Sequence, residues 1–363
     1  MKKILKILML AVLSIAVVFS VVACDSDNDG NDGKVGLLCA TKHGVYTIYK
    51  YVDDGRTDKT LDLGVELGSA TNVKIQANSF SGNESIEKLI VSSNVTAIEE
   101  GAFAGMKALK EIVLPFVGAS ANADATYGES GKVTDKAIDL ERTFGYLFGT
   151  SEYDGGSLVT ISYNGESTSE RYMPTSLQKV EIKAANGYKI PMDAFNGCVN
   201  LAEIKLCSGI TEIGEYAFNG CKNLASISVP ETVTIIHKGA FKGCTSLGDV
   251  LENATALTSI GESAFEGAKL GEITLPANIV IGKKAFSGST VKTVNVSGNE
   301  IMIGDSAFAS CTKLTAVIFD NAGGKIKQFA FQGATKLTQF GSVAGQIKTD
   351  GFDVESLAFD PEE

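Results

Sequence analysis

The chain has 363 residues, 44% of them hydrophobic and 21% charged, so it can bury a large core. This composition excludes an intrinsically disordered chain and an integral membrane bundle. Acidic residues outnumber basic ones by 43 to 32, and the formal net charge of −11 argues against nucleic-acid binding, which needs a basic surface.

Residues 1–23 have the features of a secretion signal. Three lysines among the first six residues precede an apolar run over residues 7–22, and the small Ala23 stands directly before Cys24. Ala23-Cys24 resembles the lipobox of bacterial lipoproteins, in which the cysteine thiol is acylated and becomes the new N-terminus, although Val21 stands where that pattern prefers Leu. The resemblance implies an exported protein, lipid-anchored at Cys24 and held at the cell surface. An uncleaved anchor helix is the alternative.

An acidic, glycine-rich segment at residues 24–36 is predicted to be a flexible tether between the lipid and the folded domain. Asp25, Asp27, Asp29 and Gly30 also match the opening half of a calcium loop. Gly36, however, occupies the position where such a loop needs a bidentate glutamate. We therefore expect a tether here and no metal site.

Residues 37–63 are predicted to form a capping hairpin. Residues 45–52 alternate between apolar and polar side chains and lead into Asp53-Asp54-Gly55, a hairpin turn signal. We expect this hairpin to cover the first coil of the repeat domain that follows.

A marker, Ala-Phe-x-Gly, recurs along the rest of the chain and decides the fold. Its phenylalanines are Phe103, Phe195, Phe218, Phe241, Phe265, Phe286 and Phe331, with a Gly-less copy at Phe308 and degenerate outer copies at Phe80 and Phe352. Neighbouring copies are 21 to 24 residues apart, and the one gap, between Phe103 and Phe195, is 92 residues, four times 23.

Between markers lies a six-residue frame, clearest in Leu201-Ala202-Glu203-Ile204-Lys205-Leu206, whose fourth and sixth residues are large while the third and fifth vary. This period of two is typical of a strand with one buried face. A second short apolar segment follows in each unit. We therefore predict a coil of two short strands and a turn, which buries its apolar side only by stacking on its neighbours. The marker phenylalanines should form an aromatic ladder, and the marker Gly should adopt a backbone angle that side chains disfavour.

The repeated unit resembles the BspA-like leucine-rich repeat of bacterial surface proteins. The resemblance covers residues 64–358, interrupted by an insert at 116–176, and an acidic tail follows at 359–363. It implies a mainly β, right-handed solenoid of ~23-residue units, and a role in adhesion or in binding host extracellular proteins. It does not supply a ligand.

Cys198, Cys221, Cys244 and Cys311 all occupy the position after the marker Gly, where other coils have Met, Ala or Ser. A position that accepts those residues favours buried free thiols over metal ligands or redox pairs. The chain has two histidines, His43 and His237, and neither lies at zinc-site spacing from a cysteine. We predict no metal and no cofactor.

The insert at 116–176 carries aromatic residues that could face either the core or a partner. Phe144 and Phe148 are predicted to replace the marker and to pack into the core. Tyr153, Tyr163 and Tyr172 are candidates for partner binding, because insertions in solenoids fall on loops that often lie at the binding face.

The chain is predicted not to be an enzyme. The sequence contains no Gly-x-Ser-x-Gly elbow, His-Glu-x-x-His helix or phosphate-binding loop. His237 has Gly214 and Gly261 as its counterparts in other coils, which favours a surface substitution over a catalytic base. Carboxylates that meet across coils leave a hydrolase as a third possibility.

The remaining candidate surface is the outward row of the frames, at their third and fifth positions. Lys179 should pair with Glu203 and Glu181 with Lys205 across neighbouring strands. Ile90, Val113, Leu251 and Ile318 are apolar at outward positions, as in protein-binding surfaces. We therefore predict a cell-surface adhesion protein that binds an extracellular protein or another cell surface through this row. The alternative is a glycan-binding accessory of carbohydrate acquisition, which the lack of Trp disfavours.

Overall fold

Each repeat folds into one coil of a β-solenoid in the computed structural model, which describes residues 23–25, 35–122, 140–163, 167–296, 300–319, 323–341 and 352–354, with backbone only at 23–25, 162–163 and 352–354. A coil contains a frame strand, a bend, a second strand and the turn that carries the marker. Equivalent strands of successive coils pair in parallel. Leu63–Leu67 is the one α-helix within these ranges. The predicted mainly β solenoid is confirmed.

The frame strands form two parallel sheets. The N-terminal frame sheet consists of Thr60–Asp62, Lys88–Ile90, Glu111–Leu114, Lys179–Ile182, Glu203–Leu206 and Ser226–Ile227. The C-terminal frame sheet consists of Glu272–Leu275, Thr293–Val296, Ala316–Phe319 and Gln339–Phe340. Residues 249–253 of the coil between them bend and turn instead of forming a strand, so the frame ladder is interrupted once.

The second strands continue through that interruption as one eight-stranded parallel sheet, the second sheet. Its members are Tyr188–Ile190, Ile210–Ile213, Ile235–Ile236, Ser259–Ile260, Ile279–Ile281, Glu300–Ile303, Gly323–Ile326 and Phe352–Val354. Phe352 therefore belongs to a second strand, and the prediction that it is a degenerate marker was wrong.

The marker phenylalanines stack into the predicted ladder inside the solenoid. From Phe195 to Phe331, neighbouring rings have centroids 5.0 to 5.4 Å apart and planes within 13° of parallel. The coil spacing of about 4.8 Å imposes this separation. The marker Gly is left-handed as expected, for example at Gly220 with φ 70°. The ladder and the Gly position together fix the turn of each coil.

The four cysteines after the marker are free and buried, as predicted. Three of the thiols donate to the carbonyl of a phenylalanine in the preceding coil, with Cys221 Sγ 3.1 Å from Phe195 O and Cys244 Sγ 3.0 Å from Phe218 O. Burial raises the pKa of Cys244 to about 12 and that of Cys311 to about 11, so these thiols stay neutral at ordinary pH. Cys207 is free and only partly buried.

Alkylation will distinguish the two kinds of thiol. At pH 8 in the native protein, iodoacetamide will label Cys207 and leave Cys221 and Cys244 unmodified, because a buried neutral thiol is a poor nucleophile. Mass spectrometry of native and urea-unfolded samples gives the comparison, and unfolding should make all three reactive. Equal labelling of Cys207 and Cys221 in the native state would contradict the packing.

The capping hairpin is present, but its turn lies elsewhere than predicted. Gly36–Lys42 and Val45–Val52 pair antiparallel around His43-Gly44, not around Asp53-Asp54-Gly55. His43 and Gly44 have φ of 51° and 78°, the positive values that tight two-residue hairpins need. Val45–Val52 then pairs in parallel with Val73–Ile75, which pairs with Val95–Ile98, so the hairpin does cover the first coils. Ala23–Asp25 lies beside the hairpin, parallel to Gly36–Lys42.

The insert loops out of a single coil. Glu111–Leu114 pairs directly with Lys179–Ile182, so the gap of 92 residues between markers does not contain four stacked coils. The 3₁₀ helix Phe144–Phe148 runs along the stack, and both its phenylalanines join the ladder between Phe103 and Phe195, which confirms their predicted core position.

An antiparallel hairpin, Gly156–Tyr163 and Ser167–Pro174, completes the insert and packs against the coils. Its Arg171 is buried and forms an ion pair with Glu100 of the preceding coil at 2.8 Å. The hairpin is thus fixed to the solenoid by a buried side chain as well as by backbone contact. No helix in the described ranges is long and apolar enough to cross a membrane.

Candidate functional site

The outward row of the N-terminal frame sheet is a ladder of ion pairs. Lys179 Nζ lies 2.8 Å from Glu203 and Lys205 Nζ lies 3.0 Å from Glu181, so both predicted pairs are confirmed. Lys88 pairs in the same way with Glu111 at 2.6 Å. These charges satisfy one another across neighbouring strands, and the row needs no ligand to explain them.

The four apolar residues predicted to break this row are not an exposed surface. Val113 and Leu251 are buried, at 2% and 3% exposure, and Ile90 and Ile318 are only partly exposed. Val113 is covered because Ile90 and Glu181 stand beside it in register. Leu251 is buried because its segment turns inward and forms no strand. The predicted exposure of Val113 and Leu251 was therefore wrong, and Ile90 and Ile318 lie in separate sheets.

The second sheet instead presents a largely apolar row, interrupted by one serine, that the sequence did not single out. One outward side chain from each of four successive coils lines up in register: Ile235, Ser259, Val280 and Met302. Val280 and Met302 are adjacent and are 41% and 44% exposed, while Ile235 and Ser259 are partly exposed. We call these four residues the second-sheet row. It extends about 14 Å along the stack, at about 4.8 Å per coil.

Charged residues bound this row at both ends. Glu212 lies in register before Ile235, and Lys325 lies in register after Met302. An apolar centre with a charged border is the usual arrangement of a protein interface.

Local geometry explains why Val280 and Met302 point outward. In Ile279–Ile281 and in Glu300–Ile303 the flanking isoleucines are buried, and alternation along a strand places the residue between them on the opposite face. The core thus fixes the orientation of both exposed side chains.

His237 belongs to a small ionic cluster at the N-terminal end of the row. Its Nε2 is 2.8 Å from Glu212, whose other oxygen is 2.7 Å from Lys189 Nζ. Burial raises the pKa of Glu212, but the hydrogen bonds from Lys189 and His237 outweigh it, so the pKa lies below its usual value. A shallow depression of about 200 Å³ adjoins the cluster, and its lining contains no hydroxyl or thiol. The absence of enzymatic activity stays a prediction.

Neither Tyr153 nor Tyr172, the two predicted tyrosines whose side chains are described, is fully exposed. Tyr153 is half-buried, and its hydroxyl is enclosed, which raises its pKa well above the usual value. Tyr172 is also half-buried, and the side chain of Tyr163 lies outside the described residues. Among the side chains of this hairpin that are described, Leu158 is a large apolar one that is exposed, at 48%.

Among the described residues, no group of three or more His, Cys, Asp or Glu side chains lies close enough together to hold a metal ion.

Comparison with known proteins identifies the repeat. The model of the BspA-type leucine-rich repeat region matches six copies, over residues 67–129, 168–290 and 251–353. No curated protein matches the chain. Among solved structures, a leucine-rich repeat protein from Bacteroides ovatus is 26% identical over 52% of each chain, with a TM-score of 0.38, so the chain spans about half of that protein.

Two further solved structures are similar over more of the chain. A leucine-rich repeat protein from T. pallidum is 16% identical over 77% of this chain and 87% of its own, with a TM-score of 0.29. One from Eubacterium ventriosum is 17% identical over 84% of this chain and 81% of its own, with a TM-score of 0.34.

Proposed function

The chain belongs to the BspA-type leucine-rich repeat family, and from that premise we propose that it is a protein-interaction module displayed outside the cell, with the second-sheet row as the centre of its binding surface. The observation that carries the proposal is the adjacent pair Val280 and Met302, both more than 40% exposed in the middle of a rigid sheet. The solenoid core holds the backbone of both residues in place before a partner arrives, so little backbone ordering entropy opposes binding.

The chemistry of the row favours a protein as its occupant. Val280 and Met302 offer aliphatic and thioether surface, which buries well against apolar side chains, and Met adapts its shape to a partner. An uncharged sugar ring usually stacks on an aromatic side chain, and the row has none. Glu212 and Lys325 form a polar border at the two ends of the row, as the rim of a protein interface does.

The test compares two double variants of equal severity. Val280→Ser with Met302→Ser alters the second-sheet row, and Ile90→Ser with Ile318→Ser alters the frame row that the sequence favoured. Every substitution is at a partly or fully exposed position, so we expect each to change the free energy of unfolding by about 0.5 kcal/mol or less.

We expect the second-sheet variant to bind extracellular-matrix protein or whole cells at least about tenfold more weakly, or about 1.4 kcal/mol. The frame variant should stay within about twofold of the parent. Binding is measured by surface plasmon resonance on immobilised matrix proteins and by cell adhesion. If the frame variant loses more binding than the second-sheet variant, the binding surface is the one that contains Ile90 and Ile318. If both variants bind as well as the parent, neither surface binds the partner. Sedimentation of the parent shows whether the bound partner is a second copy of the chain.

We also propose that the protein is exported and lipid-anchored at Cys24. The basic and apolar start of the chain and Ala23 before Cys24 support this. At Cys24, disulfide formation competes with acylation, because Cys39 is disulfide-bonded and Cys24 lies opposite Cys39 in the backbone register.

Cells that make the protein with labelled palmitate will incorporate the label in the parent and in Cys39→Ala, and will lose it in Cys24→Ala. Label in Cys24→Ala, or none in the parent, would contradict lipidation at this residue.

A further inference from the structure

A groove of about 480 Å³ opens where the frame ladder is interrupted, next to the start of the C-terminal frame sheet. Two features of the sequence create it. The turns Ala268-Lys269-Leu270 and Ser289-Thr290-Val291 are one residue shorter than the turns before and after them. Gly248 and Gly271 also leave two successive coils without a side chain at the second frame position.

Three lysines from three successive coils line this groove: Lys269, Lys292 and Lys313. All three are exposed, and none makes an ion pair within the described part of the chain. Asp249 is the one carboxylate among the lining residues. With coils about 4.8 Å apart, the lysine backbones are distributed over about 10 Å along the stack. The groove therefore presents a short line of positive charge on a chain whose net charge is −11.

In the N-terminal frame sheet, the charged side chains at the second frame position pair with one another. Lys59, Glu87 and Lys110 occupy the second frame position of successive coils, and Glu87 lies 2.7 and 2.6 Å from the two lysines. Lys292 occupies this position in its own coil, but its neighbour in the preceding coil is Gly271. The fold can accommodate a carboxylate at the second frame position, but Gly248 and Gly271 occupy this position in the two coils before Lys292.

We propose that this groove binds an acidic glycan segment, with sulfate or carboxylate groups on successive sugars held by the three lysines. Charge complementarity selects an anion, and the spread of the lysines over three coils selects one with several charges. This site is separate from the second-sheet row and takes a different ligand.

The lining favours a glycan over an acidic peptide. Its large apolar residues, Leu247 and Leu270, are buried at 1% and 3% exposure, so the groove offers no surface for the apolar anchors that peptides use. Asp249 also lines the groove, in the coil before that of Lys269, and it can accept hydrogen bonds from the hydroxyl groups of a sugar, which a run of acidic peptide side chains lacks.

The experiment measures binding of the purified protein to dextran sulfate, polygalacturonate, unmodified dextran and polyglutamate by isothermal titration calorimetry. We expect dextran sulfate, polygalacturonate or both to bind with an affinity that falls as salt rises, and unmodified dextran not to bind. Binding of unmodified dextran with equal affinity would overturn the proposal. Polyglutamate binding as tightly as the acidic glycans would overturn the choice of a glycan.

Variants locate the site. Lys269→Ala, Lys292→Ala and Lys313→Ala together should weaken binding of the acidic glycan at least tenfold. Lys222→Ala, Lys283→Ala and Lys284→Ala remove the same charge from exposed lysines outside the groove lining and should change it less than twofold. Equal losses in the two triple variants would mean that overall charge, and not the groove, binds the glycan.

Gly271→Gln provides a test that keeps every lysine. A Cβ at Gly271 has its nearest neighbour, Asp249 Oδ1, 3.8 Å away, so the side chain fits and extends into the groove. Gln178 already occupies the equivalent position in another coil. We expect this variant to fold normally, to keep binding the protein partner and to lose most of its affinity for the glycan. Undiminished glycan binding by Gly271→Gln would overturn the proposed glycan site. The variant Val280→Ser with Met302→Ser tests the second-sheet row independently, because it should lose protein binding and keep glycan binding.

Discussion

Replacing Phe218 by Ala will lower the free energy of unfolding by about 3–5 kcal/mol, the usual cost of removing a buried aromatic side chain. Phe218 is fully buried in the middle of the ladder, with ring centroids 5.3 Å from Phe195 and 5.0 Å from Phe241. The cavity therefore removes contacts from the coils on both sides, and the rigid stack leaves the neighbouring rings little freedom to close it.

Phe329→Ala is the matched control, because it removes the same side chain from a position that is 45% exposed. It should cost about 1 kcal/mol or less. Urea unfolding followed by circular dichroism gives both values. A loss below about 1 kcal/mol for Phe218→Ala would mean that the ladder does not support the stack.

Replacing Gly197 by Ala will destabilise the protein more than the same change at Gly220, although both occupy the marker Gly position. Both residues are left-handed, with φ of 79° and 70°, so each substitution should cost about 1–2 kcal/mol in backbone strain. A Cβ at Gly197 would also lie 2.3 Å from the carbonyl oxygen of Thr160, whereas one at Gly220 meets nothing within 4 Å.

The additional cost at Gly197 should be about 1–3 kcal/mol, since Thr160 belongs to the insert hairpin and its backbone must move. The difference between the two melting curves thus measures how firmly the hairpin is packed on the coils. Equal losses at Gly197 and Gly220 would contradict that packing.

The sequence predicts the coil and its ladder well because equivalent residues of successive repeats pack against one another in the same way. A large residue at the same position of each unit has one neighbour above and one below, so periodicity alone identifies Phe195, Phe218 and Phe241 as a stack. The same argument identifies the free thiols, since a position shared by Cys, Met, Ala and Ser accepts an uncharged buried side chain and is not reserved for a metal ligand or a redox pair.

Exposure on the frame row could not be predicted from alternation alone. Alternation gives the direction of a side chain, but exposure depends on the residues that stand beside it in the neighbouring coils, as Ile90 and Glu181 do at Val113. The predicted exposure of Leu251 was wrong for another reason. Gly248 and Asp249 are poor strand residues, and the segment that contains Leu251 turns instead.

The second-sheet row was missed because its strands read as uninterrupted apolar runs. Ile279-Val280-Ile281 and Ile301-Met302-Ile303 look like fully buried strands, a pattern that hides which residue points outward. A period of two in these strands, like that of the frames, gives the outward direction of Val280 and Met302, and their exposure follows from the partly exposed or exposed residues beside them in register. The lysines of the groove come from three different coils. The two shortened turns are the sequence signal that predicts the groove.

Hydroxyl-radical footprinting of Met302 tests the proposed binding surface most directly. Met302 is 44% exposed, and methionine is highly reactive, whereas Met106 and Met173 are buried and serve as internal references. We predict that oxidation of Met302 slows several-fold when the protein is bound to the matrix protein or cells to which it adheres, while Leu158 and Ile90 react as before. If Met302 is oxidised at the same rate free and bound while Leu158 or Ile90 becomes protected, the second-sheet row is not the binding surface.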